Sequence, residues 1–108
     1  MSAAASAACI LMTTAGDRAE ADRLARLLVE QRLAACVQLL PIDSVYRWKG
    51  TVETAAEMLL LAKTRAGLAE AAIAALKAAH SYDTPEIIVL PVTAGLPAYL
   101  DWIEAETG

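Results

Sequence analysis

The string "YRWKGTVETAAEMLLLAKT", Tyr46 to Thr64, constrains the fold more than any other part of this 108-residue chain. Two extended segments meet at Lys49-Gly50, which punctuates a hairpin although Lys-Gly is weaker turn chemistry than Asn-Gly. On the outgoing side Ser44, Tyr46 and Trp48 share one face, with Val45, Arg47 and Lys49 on the other. The returning strand, Val52 to Thr64, ends in the apolar run Met58 to Ala62, whose Leu59 and Leu61 lie opposite Met58 and Leu60. Both faces of that strand need cover.

The flanking segments supply one of the covers. Ala8 to Met12 reads as a buried strand, and Asp17 with Glu20 three residues on reads as a helix start of the capping-box kind. Ala21, Leu24, Ala25 and Leu28 then recur at helical spacing, with Asp22 facing Arg26. Ala34 to Pro41 is a strand stopped or bent by Pro41. Ala66 to Ala79 is a second helix, "EIIVLPV" a fourth strand, and Pro97 to Glu106 a short helix or turn placing Tyr99, Trp102 and Ile103 together. This order predicts an α+β, ferredoxin-like βαββαβ sandwich with a short C-terminal helix, one domain over residues 1–108 with residues 1–7 a flexible N-terminus. Strand one is expected between strands three and four, with strand two at the edge beside strand three. Cys9 and Cys36 then lie on strands that are not neighbours, so no disulfide is expected.

Composition narrows the class. Nine Lys and Arg against thirteen Asp and Glu give a net charge of −4 without any basic run, so no nucleic-acid partner is expected. "MSAAASAAC" has no basic n-region and no stretch approaches a membrane span, so the protein is expected to be soluble. Two cysteines without metal spacing point to a reducing compartment, the cytoplasm. Apolar residues make up 57%, but 25 residues are alanine and none is Phe. The bulky surplus sits in the strands, where burial between subunits accommodates it.

Chemistry concentrates in "HSYDTPEI", His80 to Ile87. Adjacent residues of an extended segment point to opposite sides, so Ser81 is not placed to pass its proton to His80, and no nucleophile or phosphate-loop motif occurs; the chain is not read as an enzyme. His80, Asp83 and Glu86 offer one nitrogen and two carboxylates to a divalent metal. The residues alone favour a structural role, with His80 closing the helix, Asp83 and Thr84 making a turn and Pro85 forcing extension before the last strand. Tyr46, Trp48, Tyr99 and Trp102 read as core or interface anchors. Glu57 and Lys63 interrupt an apolar strand and are expected to pair with each other or across subunits. An RNA-recognition module would need aromatics on strand one, where "ACILM" has none.

The strings "LVEQRLAACVQLLPIDSVYRWKGTVE", "EMLLLAKT", "HSYDTPEIIVLPV" and "YLDWI" together resemble the CutA family, the divalent-cation-tolerance proteins, from about Met12 to Glu104. The resemblance implies a homotrimer of PII-like architecture, associated with copper and other divalent metals, without an agreed reaction or a named protein partner. It implies a cleft shared with a neighbouring subunit, with His80, Tyr82 and Glu86 facing it and Cu(II) or another divalent cation weakly bound. Cu(I) would need Cys36 or Met12 in the same cleft, which strand alternation leaves open. Ser81 stands where the family usually has proline, which is expected to loosen the backbone. Thr13 stands where some members have cysteine, and a hydroxyl is a poor copper ligand. The alternative from another class is a PII-like or ACT-like module binding a small anion through Arg47, Lys49 and Lys63.

Overall fold

The computed structural model describes residues 7–108; the expectation of a flexible N-terminus falls, for residues 1–6, outside the described residues. The elements are β1 (Ala8–Ala15), α1 (Arg18–Glu30), β2 (Cys36–Trp48), β3 (Thr51–Arg65), a 3₁₀ turn (Ala66–Leu68) leading into α2 (Ala69–Ala79), β4 (Ile87–Pro91) and α3 (Pro97–Ala105). The sheet is antiparallel in the order β2-β3-β1-β4, as the element order predicts. Cys9 and Cys36 are free thiols on strands separated by β3.

Asp17 caps α1 by accepting the Glu20 N–H at 2.8 Å. The predicted stripe Ala21, Leu24, Ala25 and Leu28 is buried against Leu11, Leu60 and Leu76, and this helix-covered side of the sheet is the core. Beyond α1 the chain turns at Arg32, held at a positive φ of 59° that a side chain adopts at a cost of about 1 kcal/mol. Its guanidinium donates to the carbonyls of Ala105 and Gly108. Buried Arg65 ties the same C-terminal segment to β3 through Thr107.

Two strand expectations change. Pro41 does not stop β2, which runs unbroken from Cys36 to Trp48, because β2 is an edge strand and a missing N–H is tolerated there. Lys49 leaves the strand: it and Gly50 have φ of 49° and 82°, and Trp48 pairs with Thr51, so they form the two-residue loop whose twist matches the hairpin.

Register explains the rest of the shape. β1 pairs with β3 only from Met58 onward, so Thr51–Glu57 and Ile42–Trp48 run past the sheet as a two-stranded arm, and the protein measures 44 × 25 × 21 Å. Val45, Val52, Tyr46 and Trp48 are exposed on it. On the face without helices, Met12 pairs with both Leu61 and Ile88, and Leu59 pairs with Leu40. These leucines and isoleucines remain partly or largely exposed. A two-stranded ribbon is marginal by itself in water, and an uncovered apolar sheet face more so.

Candidate functional site

A cleft of about 550 Å³ opens where the arm leaves the sheet, walled by Tyr46, Trp48 and Glu57 on one side and by Tyr82, Asp83 and Glu86 on the other. The second wall begins where α2 stops. His80 is its C-cap, donating its N–H to the Leu76 carbonyl at 2.9 Å with an extended backbone, and Pro85 keeps the approach to β4 extended.

The His80 ring turns inward and its side chain is fully buried. Nε2 lies 2.7 Å from the Thr14 carbonyl, and Nδ1 accepts the Tyr82 N–H at 3.0 Å. A carbonyl only accepts, so Nε2 carries the proton and Nδ1 the free lone pair: the neutral ring uses both nitrogens within the chain. Tyr82 follows at a ring distance of 4.9 Å and donates its hydroxyl to Glu57 Oε2 at 2.9 Å. Burial first, and then the Glu57 carboxylate, push the phenol up to about 12, so it stays the donor throughout the neutral range. Gly16 allows this approach, since a Cβ there would stand 3.1 Å from the hydroxyl.

Ser81 is not loose. Its N–H and its hydroxyl donate to the two oxygens of Glu20, each at 2.8 Å, across 61 residues of sequence. Proline would supply neither donor. Partial burial raises the Glu20 carboxyl, but the hydrogen bonds from Ser81 and the Gly16 backbone, with His80 beside it, outweigh that and hold it below the ordinary glutamate value. In the sequence Glu20 stood out only as part of the helix cap, and Ser81 only as a rejected nucleophile and a departure from the family's proline, because nothing local announces a contact at that separation.

Of the three residues read as a metal set, Asp83 and Glu86 line the cleft with exposed side chains, while His80 faces Thr14. Among the described residues no group of three or more His, Cys, Asp and Glu side chains is arranged to hold a metal ion. The chain as it stands therefore does not fit a His80-centred metal centre. Thr13 is fully buried on the core side, its hydroxyl without a hydrogen-bond partner among the described residues, and does not enter the cleft.

Glu57 and Lys63 do not pair with each other: they lie six positions apart along β3, roughly 20 Å, and Lys63 donates instead to Gln38 while Glu57 takes Tyr82. Cys36, paired with Lys63 at the far end of β2, also lies away from the cleft. Tyr99 and Trp102 stack on each other at 5.5 Å on α3, half-exposed and outside it. Arg47 reaches the Gly50 carbonyl and Lys49 lies 5.9 Å from the Trp48 ring centre, both at the arm tip.

Residues 9–106 match the family described as CutA1 divalent ion tolerance protein. The divalent-cation tolerance protein CutA of Pectobacterium atrosepticum is 46% identical over 99 residues, covering 91% of this chain and 90% of that protein. The chloroplastic protein CutA of Arabidopsis thaliana is 41% identical over 99 residues; this chain spans about half of that relative's length, 54%. The crystal structure of CutA from Xylella fastidiosa superposes with a TM-score of 0.91 at 45% identity, covering 94% of this chain and 98% of that one.

Proposed function

Because the chain belongs to the CutA1 divalent ion tolerance family, we propose that it serves divalent-cation tolerance as a homotrimer that binds cations weakly at the arm-root cleft and performs no catalysis. The observation that carries the cation is the cleft's charge: Glu57, Asp83 and Glu86 line it, and among the described residues no lysine or arginine does. An anion would meet three carboxylates. Lys63 is engaged with Gln38, and Arg47 and Lys49 sit at the arm tip, so nothing gathers them into an anion site. The PII-like or ACT-like alternative is correspondingly disfavoured.

Carboxylate oxygens without an imidazole or thiolate make a hard, sparse donor set, completed by water or by a neighbouring subunit. First-row divalent ions are expected in the order Cu(II) above Ni(II) and Zn(II), all weakly, with little for Cu(I). Calorimetry with these ions on wild type and on a Glu57→Gln/Glu86→Gln double variant tests it. Heat retained in full by the variant, or none from the wild type, would remove the cleft from consideration.

Trimer assembly is supported by the uncovered apolar face and the overhanging arm. A large indole half-exposed in the single chain is the natural anchor, so Trp48→Ala is expected to weaken assembly by about 2–4 kcal/mol. Concentration-dependent light scattering measures the shift, and unchanged assembly would mean that Trp48 serves only the cleft. Two free thiols, Cys36 among them partly accessible, favour a reducing compartment such as the cytoplasm.

A further inference from the structure

Glu20 belongs to α1, not to the loop that follows α2, yet both of its carboxylate oxygens accept from one residue of that loop, Ser81, next to the cleft-lining Tyr82. In a capping box its side chain would return to the N-cap N–H. Instead Oε1 accepts the Ser81 hydroxyl and Oε2 the Ser81 N–H, with Arg23 at 3.3 Å from Oε2 and only a tenth of the side chain exposed. Ser81 is the residue between His80, which holds Thr14, and Tyr82, which holds Glu57. Whatever fixes Ser81 fixes both neighbours.

We propose that Glu20 is a positioning residue for the cleft: through Ser81 it holds the loop from His80 to Glu86 on the first turn of α1, so that Tyr82 reaches Glu57. This rests on the reading of the cleft as the binding site. The anchor is rigid, since α1 is capped by Asp17 and braced by Asp22 with Arg26. The bonds to Ser81 are charge-assisted, which makes them stronger than neutral ones and dependent on an ionised carboxylate. The groups that face Glu20 are Arg23 from its own helix and His80 and Tyr82 from the loop.

The Glu20 carboxyl lies below its ordinary value in the folded protein, so its contribution is complete above the glutamate range. It is lost as pH falls through the depressed value. Loop fixation should weaken only in acid.

Amide hydrogen exchange on the full chain, without added ligand, tests the assignment. In Glu20→Ala the Ser81 and Tyr82 amides are expected to exchange at least roughly tenfold faster, with those of Leu24 and Leu60 unchanged. Glu20→Gln, nearly isosteric, keeps α1 intact and should show a smaller increase. After correction for intrinsic rates, it should also lack the acid-dependent loss of Ser81 amide protection seen in wild type, the amide that donates to the Glu20 carboxylate itself. Calorimetric Cu(II) affinity should fall about threefold or more in Glu20→Ala, since part of the fixation energy is lost to the ligand. Wild-type exchange at Tyr82 in both variants, or a rise confined to Ser81, would overturn the proposal. Failure of the wild type to bind Cu(II) would instead strike the cleft reading, while the exchange data still decide what Glu20 does.

Discussion

Leu61→Glu is expected to abolish the proposed trimer. By size exclusion with light scattering, the wild type should run at the mass of three 11.4 kDa chains, and the variant should lose that species at the same concentration. Leu61 lies in the middle of β3, paired with Met12 and Gln38, on the face that α1 and α2 do not cover. In the single chain a carboxylate there meets water and leaves Leu11, Leu60 and Leu76 on the opposite face untouched. In the assembly each of three copies would bury a charge without a partner, and the effective penalty is several kcal/mol per ion, on the order of 10 kcal/mol for the trimer. An interface of ordinary affinity does not withstand that. A variant with unaltered mass and melting temperature would show that this face is not what the subunits share.

The two apolar faces of β3 were legible in the sequence because a strand's side-chain period is two and MLLLA leaves neither face polar. The same local physics placed Asp17 at its cap, the Leu24 and Leu28 stripe in the core, and the turn at Gly50. Pro41 misled because its effect depends on whether a strand lies at an edge, where the strand can continue past a residue without an N–H. The site was legible by location and not by geometry. The spacing of His80, Asp83 and Glu86 suggests a shared face only where the backbone repeats. Residues 80–86 are irregular, so equal spacing carries no common direction, and the ring goes inward while the carboxylates go outward. Glu57 was marked as needing a partner, but the partner proved to be Tyr82, 25 residues on, and the carboxylate that secures Ser81 lies 61 residues back. Contacts between irregular segments have no sequence period to betray them.

His80→Ala separates the two roles that the sequence left open for this histidine. If the ring is a ligand, its loss removes cation binding and leaves stability nearly alone, since an exposed side chain contributes little. The observed geometry predicts the reverse order of effects. Removing a fully buried ring strands the Thr14 carbonyl and the Tyr82 N–H, each a desolvated polar group without its partner, and leaves a cavity beside the Tyr82 ring. Unsatisfied groups at roughly 1–3 kcal/mol each, partly relieved by water entering the space, set the expected loss at about 2–4 kcal/mol. Chemical denaturation at matched protein concentration measures it, because an oligomer's apparent stability moves with concentration. Cation affinity should fall as well, but secondarily, through the displaced Tyr82 and its bond to Glu57. His80→Gln, whose amide can still donate toward the Thr14 carbonyl, should recover part of the stability. It should recover part of the binding in the same proportion. Loss of Cu(II) binding with undiminished stability would show that the ring swings out of its pocket to meet the metal, and that the hydrogen bonds to Thr14 and Tyr82 describe only its resting state.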